Sequence, residues 1–316
     1  MHDVEVFARD IMTTRLVTLL PNDHVLDGID RLLQHEISGA PVIDNSGMYL
    51  GVFSEKSSMM AFSFVDDERS QRCDKSFHHF RARDVMQTEL ITIRPDTEVF
   101  EAITLLLHHH VSGLPVIDAA GAFLGVFSER SAMRVIIDMT WNQFSSAAVS
   151  AWMDRDLART VPEHTSLEDI RRRFSETLYR RLPVLNRGRL VGQISRRDVL
   201  RAELDRMVQS CGNSSGILKV NEKPGSRAPR PDWDVRSFMD SSAQTTREDA
   251  DVMSIAQDFF VTSARRFPVL REGRLVGQVS RRDLLRAVSR LFPERPSVQR
   301  PLYLSSTTAD VTSVIG

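Results

Sequence analysis

The chain has 316 residues, 41% of them hydrophobic and 26% charged, which is length enough for two domains that each bury a core. Its net charge of −1 hides an asymmetry: residues 1–140 hold 12 Lys and Arg against 21 Asp and Glu, and residues 141–316 hold 29 against 21. No apolar run reaches the ~18 residues needed to span a bilayer. The first residues, MHDVEVFARD, lack the basic-then-apolar order of a signal peptide, and two lone cysteines, Cys73 and Cys211, suggest neither a disulfide framework nor a zinc site. A soluble, cytoplasmic protein without a membrane segment is expected.

Taken in chain order, the same set of elements is written four times. The first unit opens on an extended piece, LVTLLP, followed by a helix with apolar residues at Val25, Ile29, Leu32 and Leu33. Two apolar strands around a Gly-containing turn come next (PVI-DNSG-MYLGVF), and Ser54 then opens a final helix. Met12, Gly39, Pro41, Gly51 and Ser54 recur 74 residues later as Met86, Gly113, Pro115, Gly125 and Ser128. A third unit follows with ARTVP, a helix carrying Leu167, Ile170, Phe174 and Leu178, and the hairpin PVL-NRG-RLVGQI. Its segment Arg180 to Ala202 matches Arg265 to Ala287 of the fourth unit at 18 of 23 positions. The order is β-α-β-β-α four times, an α+β fold. A unit of this size buries too little surface to stand alone, so neighbouring units should pair face to face. The Ser-, Gly-, Pro- and Lys-rich stretch 209–234 reads as a flexible linker, and 293–316 as an extended or disordered tail.

The units resemble CBS domains, and the pairs resemble the tandem CBS (Bateman) modules that act as regulatory sensors of adenine nucleotides. The likeness rests on the extended start after Met12, Met86, Met153 and Met239, on the strand xxxPVhD/N, and on the closing pattern G-h-h-S-x-x-D. It spans 8–61, 82–137, 149–204 and 235–291, and no catalytic domain accompanies it, so no enzyme activity is expected.

The two pairs differ where chemistry could sit. Ser195-Arg-Arg-Asp198 and Ser280-Arg-Arg-Asp283 read first as helix caps, with the Ser and Asp forming a capping-box-like pair. That accounts for the serines but not for Arg196, Arg197, Arg281 and Arg282, because cations in a first turn oppose the helix dipole. The first pair follows the dipole rule with Glu55 and Glu129. The resemblance implies that Asp198 and Asp283 bind ribose hydroxyls, with Ser195 and Ser280 near ribose and phosphate. An ionised carboxylate can accept both protons of a cis-diol, and a helix N-terminus favours phosphate. Arg180, Arg181, Arg265 and Arg266 precede the proline strands, and the resemblance assigns a basic residue there to phosphate, a role that suits the arginine fork. Arg197 and Arg282 complete the expected phosphate set. Adenine is expected near Thr160, Val161 and Thr245. The first pair has Ser38-Gly39, Ser112-Gly113, Ser57 and Ser131 at the matching positions and is not expected to bind.

The expected ligand is therefore AMP, ADP or ATP, with or without Mg. The expected assembly is a homodimer or an intramolecular CBS disk acting on an unidentified regulated protein. Two readings of the arginines remain open. They either bind the nucleotide, or they form salt bridges to the acidic first half or to a partner in a ligand-free interaction module; charge alone does not choose between these. Nucleic acid is disfavoured because few aromatic residues interleave with the arginines. His108-His109-His110 reads as a solvated helix end and not a metal site, and Arg171-Arg172-Arg173 as a solvated face.

Overall fold

The structure is a computed structural model that describes residues 7–68, 80–89, 91–140, 153–211, 233–262 and 264–289. The 293–316 tail and Cys73 lie outside the described residues, as does the 209–234 linker except for its first three and last two residues. Repeat one comprises α1 (Ala8–Ile11), α2 (Val25–Gln34), β1 (Gly39–Ile43), β2 (Tyr49–Ser54) and α3 (Glu55–Glu68). Repeat two follows with α4 (Ala82–Val85), α5 (Val99–His108), β3 (Gly113–Ile117), β4 (Phe123–Ser128) and α6 (Glu129–Thr140). Repeat three has β5 (Val161–Pro162), α7 (Leu167–Glu176), β6 (Arg181–Asn186), β7 (Arg189–Ser195) and α8 (Arg196–Cys211). Repeat four has α9 (Val235–Phe238), β8 (Thr246–Arg247), α10 (Val252–Val261), β9 (Arg266–Arg271), β10 (Arg274–Ser280) and α11 (Arg281–Ser289).

Two details depart from the sequence reading. Short helices α1, α4 and α9 precede the extended segments, so repeats one, two and four begin with a helical turn that four residues are too few to reveal by periodicity. Leu178, expected on the core stripe of α7, lies beyond the helix end and is 67% exposed, because Thr177 has already turned into extended backbone.

Neighbouring repeats pair by exchanging their leading segments. Thr13 of repeat one bridges Val126 of repeat two, and Gln87 of repeat two bridges Val52 of repeat one. Asp154 bridges Gln278 and Asp240 bridges Gln193 in the same way in the second pair. This contact explains two recurrent residues at once. A Cβ on Gly51, Gly125, Gly192 or Gly277 would lie 2.6–2.8 Å from the carbonyl oxygen of Gln87, Thr13, Asp240 or Asp154, with the sulfur of Met86, Met12, Met239 or Met153 beside it. Only glycine permits so close a backbone approach. In the second pair the hairpins join into one six-stranded sheet, ordered β5-β6-β7-β10-β9-β8. Tight turns with positive φ at Arg187-Gly188 and Glu272-Gly273 close its two hairpins.

The two pairs then stack through helices. Helix α3 packs on α7 and α8, and α6 packs on α10 and α11. Each of the two apolar cores therefore draws on both pairs. One joins Ile29, Phe53 and Met59 of repeat one to Ile170, Phe174 and Leu200 of repeat three. The other joins Ile103, Phe127 and Met133 to Ile255, Phe259 and Leu285. The acidic and basic halves thus meet within one chain. Arg171 is also not part of a solvated face: it is buried and paired with buried Glu203 at 3.5 Å, because α7 turns that side toward α8.

Candidate functional site

In each hairpin of the second pair, period-two alternation divides the side chains between two faces. Leu182 pairs with Ile194 and enters the core, while Arg181 pairs with Ser195 and Pro183 with Gln193 on the other face. Arg266 with Ser280 and Pro268 with Gln278 repeat the arrangement. The Nη1 of Arg181 donates to Gln193 Oε1 at 3.3 Å, and that of Arg266 donates to Gln278 Oε1 at 3.2 Å. Both glutamines are buried, and their backbones make the bridges to the opposite repeat, so the two sets face each other across the pair.

The acid of each set is held by its capping serine. The Oγ of Ser195 donates to Asp198 Oδ2 at 2.5 Å and its backbone N–H donates to the same oxygen at 2.8 Å. Ser280 and Asp283 repeat these contacts at the same distances. The capping reading therefore holds and leaves the other carboxylate oxygen outside the cap. Burial raises the Asp198 carboxyl above its ordinary value, against the lowering effect of the Ser195 hydrogen bonds and of nearby Arg181.

The arginine pairs divide between two tasks. The buried Arg196 turns away from its own helix N-terminus, and its Nη2 donates to Phe174 O at 3.0 Å and Thr177 O at 2.9 Å, at the C-terminus of α7. Arg281 makes the matching bonds to Phe259 O and Thr262 O at the end of α10. A cation at a helix C-terminus satisfies orphan carbonyls and suits the dipole there. Burial first, and then Arg180 nearby, pushes the Arg196 guanidinium down to about 10, and it stays charged at neutral pH.

Arg197 and Arg282 reach across to the first pair. Arg197 donates to Glu36 O at 2.5 Å and lies 3.6 Å from the Glu55 carboxylate. Arg282 donates to Val111 O at 2.6 Å, pairs with Glu129 at 3.2 Å and meets His110 Nδ1 at 3.3 Å. The helix N-termini of the two pairs face one another here, so Glu on one side and Arg on the other convert an unfavourable meeting of positive dipole ends into an ion pair. The His108–His110 helix end thus touches Arg282. Among the described residues no cluster of three His, Cys, Asp or Glu could hold a metal ion.

Arg180 and Arg265 sit where the four repeats converge. Burial is the main effect lowering the Arg180 guanidinium; Glu129 and Glu55 oppose it, while Arg265 and Arg282 add to it. No side chain or carbonyl among the described residues accepts a hydrogen bond from either arginine's guanidinium. Thr160 donates its hydroxyl to Leu157 O, Val161 is buried in the apolar core beside Val184, and Thr245 is exposed.

Three participants, Gln193, Gln278 and Arg159, escaped the sequence reading. Gln193 and Gln278 occupy positions filled by Val52 and Val126 in the first pair, a difference masked by the apolar pattern around them. Arg159 pairs with Asp154 at 2.5 Å and Asp156 at 3.2 Å over the Tyr179 ring, and its carbonyl accepts from Gln278 Nε2 at 3.4 Å.

Comparison with known proteins gives the fold its relatives. The protein MJ1225 of Methanocaldococcus jannaschii, itself uncharacterized, is 24% identical over 208 residues, 65% of this chain and 68% of that one. Its crystal structure superposes with a TM-score of 0.75 at 19% identity, covering 90% of this chain and all of that one. An uncharacterized conserved protein from Pyrococcus horikoshii superposes with a TM-score of 0.55, also at 19% identity and with the same coverage. The chloroplastic CBSX1 of Arabidopsis thaliana is 33% identical over 141 residues, which are 37% of this chain and 60% of that protein. The CBS domain itself matches at residues 8–57, 82–138, 149–205 and 235–290, most of the chain. The chain belongs to the CBS-domain family, its four repeats forming two tandem Bateman modules.

Proposed function

We propose that this protein is a non-catalytic regulator that binds an adenine nucleotide in the cleft of its second CBS pair. One observation carries the reading. The second pair twice assembles an Arg–Gln–Ser–Asp set on facing hairpins, while Gly39 or Gly113, Val52 or Val126, and Ser57 or Ser131 stand at the Arg, Gln and Asp positions of the first pair. The residues suit the ligand chemically. Asp198 and Asp283 would accept from ribose hydroxyls, and Arg180 and Arg265, without acceptors among the described residues, would take phosphate oxygens. Ligand bridging repeats three and four would bias the packing of the two pairs, because Arg197 and Arg282, which reach the first pair, lie between the cleft serines and aspartates in sequence.

Calorimetric titration of the full chain with AMP, ADP and ATP tests this. Each ribose hydrogen bond to a carboxylate is worth about 1.5–3 kcal/mol, so Asp198→Ala with Asp283→Ala should weaken binding at least ~10-fold. Unchanged affinity in that double variant would refute the site.

The ion pairs made by Arg197 and Arg282 favour a second role for part of the same motif, docking of the basic half on the acidic half. If docking were the whole function, high salt would loosen the chain and no nucleotide would shift its melting temperature.

A further inference from the structure

The two halves of the second-pair cleft are not equivalent, and the difference lies in one buried amide. Arginine has only donors, so Arg181 and Arg266 fix the orientation of their glutamines, with Oε1 toward the guanidinium and Nε2 turned away. On the repeat-four hairpin, Gln278 Nε2 donates to the carbonyl of Arg159. On the repeat-three hairpin, Gln193 is 1% exposed and its Nε2 has no hydrogen-bond acceptor among the described residues.

The sequence explains the asymmetry. From the bridge at Asp154 to the parallel pairing at Val161, repeat three uses one residue more than repeat four uses from Asp240 to Thr246. The longer segment brings the Arg159 carbonyl over Gln278 and anchors it with the Arg159–Asp154 ion pair. In the shorter segment the Asp240 carboxylate instead accepts from the backbone and hydroxyl of Ser242, and no carbonyl among the described residues accepts from Gln193 Nε2. A buried donor without an acceptor is costly and uncommon in folded proteins.

We infer that Gln193 is a specificity-determining donor to an acceptor atom of the bound nucleotide, and that the half-site of Arg181, Gln193 and Asp198 is the high-affinity one. The Gln278 half-site is satisfied internally by Arg159 and binds weakly or not at all. This rests on the nucleotide reading above and adds to it a stoichiometry of one tight site per chain.

The test uses AMP and the full chain, with Gln193→Val and Gln278→Val. Valine is the residue the first pair carries at this place, so the fold tolerates it, and circular dichroism checks that both variants fold. Wild type should bind one AMP tightly. Gln193→Val should lose ~10-fold or more in affinity, the effect of a hydrogen bond to a buried donor, and Gln278→Val should change it less than ~3-fold. Equal losses in the two variants, or wild-type affinity in Gln193→Val, would overturn the inference. If wild type binds none of AMP, ADP and ATP, the nucleotide reading itself fails.

Discussion

Replacing Arg196 by methionine separates structural from ligand roles in the Ser-Arg-Arg-Asp step. Arg196 is 6% exposed, and one nitrogen of its guanidinium donates to two carbonyls, Phe174 O and Thr177 O. Methionine keeps most of the aliphatic volume but removes both charge-assisted bonds, each worth about 1.5–3 kcal/mol. Two features reduce the net loss. The Arg196 Nε is buried without a hydrogen-bond partner among the described residues, and removal of the cation relieves repulsion from Arg180. The Thr177 carbonyl is only partly buried and can turn to water, whereas the Phe174 carbonyl is left unsatisfied at a cost of about 1–3 kcal/mol. The expected destabilisation is about 2–3 kcal/mol by urea denaturation followed by circular dichroism, with an unchanged m-value. Arg281→Met, whose arginine holds Phe259 O and Thr262 O, is the internal replicate and should cost about as much. A loss below ~0.5 kcal/mol in both variants, against the measured range for such bonds, would refute the anchoring role.

Three further outcomes follow from the geometry. A double-mutant cycle on Arg282 and Glu129, both partly buried at 3.2 Å, should give a coupling of about 1 kcal/mol that shrinks in 1 M salt; zero coupling would mean the pairs dock without it. Gly277→Ala should destabilise the chain by about 1–3 kcal/mol, because its Cβ would sit 2.6 Å from the Asp154 carbonyl, and a wild-type melting temperature would contradict the exchanged-segment contact. Asp198 has a folded pKa raised by burial, so its stabilising contribution is present at low pH and is lost as pH rises through that raised value. Ribose binding requires the charged form and has the opposite dependence. Affinity should therefore fall on acidification before an ordinary aspartate would titrate, and a flat profile down to pH 4 by titration calorimetry would exclude Asp198 as the acceptor.

The sequence made the architecture legible because it was repeated. Recurrence of Met12, Gly51 and Ser54 at a constant spacing marked positions under one constraint, although only the structure shows that methionine and glycine meet across the repeats. The arginines were harder to read. Arg196 and Arg281 break the dipole rule only for the helix they begin; they obey it at the end of α7 and α10, which lie far away in sequence. Arg197 and Arg282 match the acids of the other half, which the opposite charges of the two halves did foreshadow. Gln193 was invisible because one amide in a strand of apolar neighbours looks like noise until its partner atoms are known.

The exchange of leading segments sets a timetable for synthesis. Thr13 completes its pairing only when Val126 has left the ribosome, and Asp154 waits in the same way for Gln278. Such distant closures are slow relative to local helix formation. The nascent chain should therefore acquire its native order in two late steps, one for each pair. Between them the apolar faces of α3 and α6 stay uncovered until α8 and α11 arrive, so the half-made protein is the species most exposed to aggregation and to chaperones.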